Sequence, residues 1–155
     1  MAEPAKFQFL DPGPLVDGDL ELALTRRSPP DPSRDRVAAY EFEMRVVGSP
    51  GAVGRVPFRA QPHRMMELYR GHIGYEVSPG HRGRRFAERS VRLLLPFIRR
   101  HGFSELWITC DPDNLASRRT CERAGAALVE TVAVPETEEM YARGHRTKCR
   151  FRIDL

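Results

Sequence analysis

A turn with unusually high positive charge joins a strand to a helix in the middle of the chain. The twelve residues 79–90, PGHRGRRFAERS, include four arginines and two glycines. The preceding GHIGYEV is predicted as a strand, and the apolar residues that follow recur at helical spacing, which predicts a helix over Phe86–Arg100. A strand that enters a helix through such a turn indicates a layered fold in which helices pack on a sheet.

The rest of the chain supplies further strands and one more helix. YEFEMRVV alternates apolar and polar residues, as in a strand with one exposed face, and GSPGAVG leads into a partner strand. ELWITC, AALVETVAV and KCRFRIDL are predicted strands, and LASRRTCERAG is a helix that ends at Gly125. We predict one α/β or α+β domain over 1–155, whose proline-rich segment 1–37 contains a short strand at about Leu20–Thr25.

Composition excludes several classes of protein. The net charge of +4, from 25 basic and 21 acidic residues, is too small to indicate nucleic-acid binding by itself. The cysteines Cys110, Cys121 and Cys149 lie far apart without a CxxC pair, which predicts reduced thiols in a cytoplasmic protein and no metal site. We expect no membrane association, because no stretch approaches the roughly 20 apolar residues of a membrane span.

The position of the basic turn suggests its ligand. A helix N-terminus has unpaired backbone N–H groups and a partial positive charge, and glycines let a ligand approach the backbone closely. Arginines add bidentate contacts to phosphate. Residues Arg82–Arg85 are therefore predicted to hold a phosphate or pyrophosphate, although the chain has neither GxxxxGK[ST] nor GxGxxG. The alternative is a solvated basic turn that only precedes a helix.

The order of these motifs over residues 71–134 resembles the acetyl-CoA-dependent acyltransferases of the GNAT superfamily. The matching residues lie at the strand end, in the turn and at the helix start: Val77, Pro79, Arg82, Gly83 and Ala87. The resemblance implies a mixed, mostly antiparallel sheet flanked by helices. It also implies an N-acetyltransferase that moves an acetyl group from acetyl-CoA to an amine by direct attack, the amine belonging to a small molecule or a peptide.

The same resemblance names the residues expected to bind the cofactor. They are Val77, Arg82, Gly83, Arg84, Arg85, Phe86, Ala87 and Asn114. Backbone amides of the turn would hold the CoA pyrophosphate, and the end of the strand would pair with the pantetheine arm. Asn114 would open the next helix and face the cofactor.

The sequence departs from the family pattern in three ways. Arg85 replaces the usual second glycine of the turn, and Cys121 stands where many relatives have a tyrosine that protonates the CoA thiolate. The proline-rich segment before Tyr40 leaves little room for the usual first helical pair, which should be short or missing. The acceptor site would then be open, or completed by another chain, for example in a homodimer.

Glu76 and Cys121 are the candidate catalytic residues. Glu76 could act as general base because its strand leads into the basic turn, and it could equally be a solvent-facing carboxylate. Cys121 could donate a proton or simply pack as a small buried residue. His72 is a weaker base candidate, whereas Tyr75 alternates with apolar neighbours and is predicted to lie in the core.

Several other side chains admit two interpretations. Asp111 and Asp113 could attract a cationic amine, although turn formation around Pro112 explains them as well. The loop PETEE, residues 135–139, could form an acidic lip or a solvated loop. Two alternative functions also remain: a CoA-binding module without catalysis, and a nucleic-acid-binding domain that uses the arginine-rich turn.

Overall fold

The computed structural model describes residues 6–155, so the first part of the predicted segment 1–37 lies outside the described residues. An antiparallel five-stranded sheet has the strand order β1-β2-β3-β4-β5, and an antiparallel three-stranded sheet has the order β6-β8-β7. The strands are β1 Val16–Asp17, β2 Leu20–Ser28, β3 Ala39–Val46, β4 Gly54–Arg59, β5 Glu76–Val77, β6 Glu105–Cys110, β7 Ala127–Ala133 and β8 Thr147–Asp154.

Three helices complete the architecture: α1 Phe86–Arg100, α2 Leu115–Arg123 and the short α3 Glu139–Ala142. The apolar side of α1 packs on the first sheet, where Phe97 lies edge-on to Tyr40 with ring centroids 5.0 Å apart. The alternating residues of β3 behave as their pattern predicts, with Phe42 and Met44 fully buried on the helix side. The predicted fold class and the mostly antiparallel sheet are confirmed.

The predicted shortage of helices before β3 is also observed. In the described part of the chain, β2 is followed only by one 3₁₀ turn, Pro32–Arg34, before β3 begins. Among the described residues, no helical pair therefore covers the outer face of the first sheet, where the polar residues of β3 point. Prolines at 29, 30 and 32 explain this, because each lacks the N–H that a helix interior needs.

Two local predictions differ from the structure. Only Glu76 and Val77 of the predicted strand GHIGYEV form a regular ladder with β4. Ile73 makes an isolated bridge to Phe58 of β4, and the His72 N–H donates to β6. The polar loop before β8 contains α3, and Glu138 in that loop is buried rather than solvated. A bidentate ion pair with Arg70 accounts for this burial, since Glu138 accepts bonds from both Nε and Nη2 of the guanidinium.

Hydrogen bonds join the two sheets at His72 and Trp107, which we call the junction. The backbone N–H of His72 donates to the carbonyl of Trp107, and the N–H of Trp107 donates to His72 Nδ1 at 3.0 Å. Beyond the junction β5 pairs with β4 and β6 pairs with β8, so no ladder joins β5 to β6. The sheets therefore part toward the carboxyl ends of β5 and β6.

Candidate active site

The parting of the sheets opens a cleft of about 680 Å³. One wall is β5 with the turn and the first residues of α1, and the other is α2. Tyr75 and Ser117 line the cleft between these walls. A cleft of this size and depth suits an elongated ligand that enters between the two sheets.

The edge of β5 that faces the cleft has free backbone groups. Gly74 and Ser78 donate their N–H groups to Pro57 and Val53 on the β4 side. Because successive residues of a strand direct their polar groups to opposite sides, Tyr75 and Val77 direct theirs toward the cleft. The Val77 carbonyl there accepts a bond from Arg82 Nε at 3.1 Å. The remaining groups on this edge can pair with an amide-containing ligand, as an added strand would.

The turn Arg82–Ala87, which we call the cradle, leaves backbone N–H groups at the start of α1 without partners. Gly83 has φ +88° and Arg85 has φ +59°, and these left-handed residues bend the chain sharply into α1. Arg85 occupies the N-cap position without a side-chain bond to the helix, so the first N–H groups of α1 have no cap. A Cβ built at Gly83 meets no atom within 4 Å, which shows that the turn is open toward solvent.

Most of the residues predicted to bind the cofactor line this cleft. They are Val77, Arg82, Gly83, Arg85, Phe86, Ala87 and Asn114. Arg84 does not line it, and its guanidinium lies 5.9 Å from the Phe86 ring centroid. Asn114 caps α2 by accepting the N–H of Ser117 at 3.1 Å, so its side chain orders the helix start beside the cleft.

The opposite wall of the cleft contributes two arginines that the sequence analysis did not select. Arg119 and Arg123 lie one helical turn apart on α2, and both are exposed along the cleft. Their spacing of four residues places them on one face of the helix, which is the signal that could have identified them. With Arg82 and Arg85 they give the cleft positive walls on both sides, as a polyphosphate ligand requires.

A polar cluster closes the inner part of the cleft. The Tyr75 hydroxyl lies 2.8 Å from Ser117 Oγ and 3.4 Å from Cys121 Sγ. Tyr75 and Ser117 line the cleft, whereas Cys121 is fully buried behind them. Burial raises the pKa of the Cys121 thiol to about 12 and also raises the pKa of Tyr75. The alternation of Tyr75 with apolar neighbours predicted a core position. In the structure its side chain is partly buried and lines the cleft wall.

Glu76 points to the other face of the first sheet. Its carboxylate accepts a bond from Arg55 Nε at 3.1 Å, and both side chains are about two-thirds exposed. A second cavity of about 520 Å³ lies on this face, between β2, β3, β4 and the end of β5. Glu76 lines both cavities and is the one residue that the two lining sets share. It thus stands where a ligand in the cleft would come close to a second ligand on the outer face.

Comparison with known proteins identifies the domain. A family model for the acetyltransferase (GNAT) domain matches residues 1–127. The chain belongs to the GNAT acetyltransferase family. The predicted family is therefore confirmed. A comparison with curated protein sequences found no match.

Solved structures of GNAT acetyltransferases share the fold. The microcin C7 self-immunity acetyltransferase MccE, in complex with acetyl-CoA and AMP, is similar with a TM-score of 0.59 and 19% identity; the match covers 76% of this chain and 61% of that one. The ribosomal-protein-S5-alanine acetyltransferase of Vibrio fischeri has a TM-score of 0.61, 14% identity and coverages of 75% and 61%. Mycobacterium smegmatis RimJ, in complex with CoA-disulfide, has a TM-score of 0.57 and 16% identity; the match covers 76% of this chain and 53% of that one.

These matches extend over less than two-thirds of each of those relatives. At such identities they show the fold of this GNAT domain and leave its substrate open. In the described residues, no helix is long and apolar enough to cross a membrane.

Asp111 and His72, two further candidate residues of this GNAT domain, are already engaged within the protein. Asp111 accepts bonds from His145 Nδ1 and Lys148 Nζ, each at 2.9 Å, and these bonds lower its pKa despite partial burial. The His72 ring is buried at the junction, where desolvation lowers its pKa to about 4. Asp113 is exposed in the turn before α2. The cluster around Asp111 joins residues 34 positions apart, which no local pattern indicates.

Proposed function

We propose that this chain is an N-acetyltransferase that moves an acetyl group from acetyl-CoA to an amine by direct attack. The observation that carries the proposal is the cleft between the parted sheets, which joins a free strand edge to the uncapped start of α1. Family membership supports it, and so do similar solved structures in complex with acetyl-CoA or CoA. The residues present suit the three parts of CoA: phosphates, amide-containing arm and sulfur.

In the proposed arrangement, the cradle amides and the arginines on both walls hold the pyrophosphate. The pantetheine amides pair with the free edge of β5, which directs the thioester inward past Val77 toward Tyr75. Backbone N–H groups on that edge stabilise the oxyanion that forms when an amine attacks the carbonyl. This chain's residues thus orient the thioester and exclude water, and the cosubstrate supplies the acetyl group.

Glu76 is proposed as the base that removes the proton from the attacking amine. Its support is its position between the cleft and the outer cavity. Since Arg55 holds the carboxylate, an ammonium group that approaches from the outer face would compete with Arg55 for the same oxygens. The acceptor is therefore expected to enter from this outer face, which no helical pair of the described residues covers.

We also propose a cytoplasmic location and a homodimer. Cys110, Cys121 and Cys149 are all free and buried, which supports the reducing environment of the cytoplasm. The predicted homodimer can be tested by analytical ultracentrifugation. Nucleic-acid binding stays a minor alternative, and a steep salt dependence of affinity for RNA or DNA would favour it.

The decisive experiment measures cofactor binding and thiol release in parallel. Acetyl-CoA should raise the melting temperature, and a panel of small amines and peptides should include acceptors that release CoA thiol. Binding without release for any amine would favour the CoA-binding module without catalysis. No thermal shift with millimolar CoA or acetyl-CoA would contradict the assignment of the cleft.

A further inference from the structure

A second group of charged side chains lies at the carboxyl end of β6. Asp111, the residue after β6, accepts bonds from His145 Nδ1 and Lys148 Nζ, each at 2.9 Å. His145 belongs to the loop between β7 and β8, and Lys148 belongs to β8. None of the three lines the cleft, so the proposed contacts with CoA do not use them.

The bond to Asp111 fixes the imidazole ring of His145. A carboxylate only accepts hydrogen bonds, so Nδ1 carries the proton that is donated to Asp111. In the neutral ring Nε2 then has a free lone pair, and within residues 6–155 it has no hydrogen-bond partner. The side chain is 34% exposed. A ring that a carboxylate holds at one nitrogen, with the other nitrogen open, is the arrangement of a proton acceptor.

The charges around this ring allow it to change its protonation state. Asp111 favours the imidazolium of His145, and Lys148 offsets that attraction because it pairs with the same carboxylate. Arg146 follows in the chain, but its guanidinium lies over the Tyr141 ring, 3.8 Å from the centroid, and donates to the Tyr141 carbonyl. The ring is therefore held between one anion and one cation.

The register at the junction brings Glu76 and Asp111 to the same depth. Glu76 lies four residues beyond His72, and Asp111 lies four residues beyond Trp107, whose carbonyl accepts the His72 N–H. At about 3.3 Å per residue, both are about 13 Å from the junction. The sheets have parted at that distance, so the two carboxylates lie on the two sides of the opening between them.

Asp111 also points to the same outer face as Glu76. Alternate residues of a strand share a face, so Asp111 shares the face of Thr109. The Thr109 hydroxyl donates to the carbonyl of Tyr69, whereas Cys110, between them, is buried on the side of α2. Because α1 and α2 pack against each other, they lie on one side of both sheets, and the outer faces continue into each other. An acceptor that enters from the outer face therefore passes between Glu76 and the Asp111 group.

Acetyl transfer to an amine must remove two protons from nitrogen. An alkylammonium group has a pKa of about 10, so the acceptor is protonated at neutral pH. One proton leaves to free the lone pair that attacks, and a second leaves after the carbon–nitrogen bond has formed. A base that has taken the first proton cannot take the second until it is regenerated. Two bases on the acceptor side meet this requirement.

We propose, building on the function proposed above, that His145 takes the first of these protons and that Asp111 is its positioning residue. The N–H bond of the ammonium breaks, its electron pair becomes the attacking lone pair, and the proton moves to His145 Nε2. After the carbon–nitrogen bond has formed, Glu76 takes the second proton and the electron pair of the carbon–sulfur bond leaves with sulfur. The products are an amide, the CoA thiol and one proton released to solvent.

The test compares the wild type with His145→Asn across pH, with the best alkylamine of the acceptor panel. The Asn amide can still donate to Asp111, but the Nε2 lone pair is gone. At pH 7, kcat/KM should fall by about 10²-fold, as for loss of a general base. The loss should shrink as the pH approaches about 10, because the amine is then increasingly neutral and needs no first deprotonation. Added imidazole should restore part of the rate of His145→Ala.

Two further variants complete the design. Asp111→Asn should lower kcat/KM less than His145→Asn, and this loss should also shrink at high pH, which a merely structural role would not produce. His63→Asn is the matched control, because the His63 side chain is 30% exposed and its Nε2 pairs with Asp35 at 3.0 Å. It should leave kcat/KM unchanged at every pH.

The outcomes separate this inference from the proposed function. Acetyl transfer by the wild type with an unchanged kcat/KM in His145→Asn at pH 7 overturns the role of His145 alone. A loss that is equal at every pH and that imidazole does not rescue in His145→Ala also overturns it, since the effect would then be structural. If the wild type binds no acetyl-CoA or transfers acetyl to no amine, the proposed function fails and this inference fails with it.

Discussion

The junction and the cleft lie at successive positions of residues 72–87, and they differ in whether their polar groups are paired. At the junction, the backbone N–H groups of His72 and Trp107 are paired in a buried setting, whereas His72 Nε2 has no hydrogen-bond partner among the described residues. Only a few residues further along, the edge of β5 has free groups and the start of α1 has no cap. The difference indicates that the junction contributes to stability, whereas the open groups of the cleft are available to a ligand. Changes at the junction should therefore lower stability, and changes in the cleft should lower binding.

The largest effect should come from Trp107→Ala. The indole is 6% exposed and lies against the Arg150 guanidinium, 4.0 Å from the ring centroid. Removing it should lower the free energy of unfolding by about 3–5 kcal/mol, as for other buried aromatic residues. CoA affinity of the folded fraction should remain near normal. Chemical denaturation measures the loss of stability, and CoA titration below the melting temperature measures the affinity. Leu115→Ala is the control, because the Leu115 side chain is 59% exposed. A selective loss of affinity would contradict the division between the two regions.

The junction should also make stability depend on pH. Burial, aided by the charge of Arg59, lowers the pKa of His72 from 6.5 to about 4, so the unfolded chain binds more protons than the folded chain between these values. The stabilisation is thus fully present above about pH 6.5 and is lost as the pH falls toward 4, amounting to about 3 kcal/mol.

Denaturation of the wild type and of His72→Asn at several pH values checks this expectation. Asn retains an acceptor for the Trp107 N–H and does not titrate in this range. The difference in unfolding free energy between the two proteins should shrink as the pH falls from 6.5 to 4. A constant difference would mean that His72 is protonated without penalty in the folded protein.

In the cleft, Gly83→Val should mainly reduce binding. Acetyl-CoA at about 100 times its dissociation constant should stabilise the wild type by about 2.7 kcal/mol, and the variant should lose most of this gain. The side chain would block the approach of the pyrophosphate to the cradle. Because φ at Gly83 is +88°, any side chain also adds backbone strain, about 1–2 kcal/mol.

Gly102→Val is the matched control for that strain. Gly102 has φ +84°, a Cβ there also meets no atom within 4 Å, and it follows the other end of α1. Both variants should lose similar stability without ligand, and only Gly83→Val should lose the thermal shift with acetyl-CoA. If acetyl-CoA raised the melting temperatures of the two variants equally, the cradle would not be part of the binding site.

The smallest effect on stability and activity should come from Cys121→Ala, which changes a buried side chain behind the cleft wall. The buried thiol packs against Tyr75, so its removal should cost about 1 kcal/mol of stability. The kcat should stay close to that of the wild type, because the thiol has no access to the cleft. Steady-state thiol-release assays beside a melting curve check this. A drop in kcat by about 10²–10⁴, the range of a general acid, at an unchanged melting temperature would assign proton donation to Cys121.

The sequence by itself determined the units that local physics controls. The basic turn and α1 follow from residues that are neighbours in the chain, and so do the β3–β4 hairpin and the cap of α2 by Asn114. The shortage of helices before β3 also follows from local proline chemistry. These predictions hold because the backbone geometry of each element depends on side chains within a few positions.

Only the tertiary structure decided how these units meet. The alternation of Tyr75 with apolar residues predicts a core position, and only the approach of α2 shows its hydroxyl beside Ser117. The junction at His72, the burial of Glu138 against Arg70 and the engagement of Asp111 by His145 all join residues that are more than 30 positions apart. Side-chain burial and hydrogen bonding depend on which surfaces pack together, and periodicity within one segment does not contain that information.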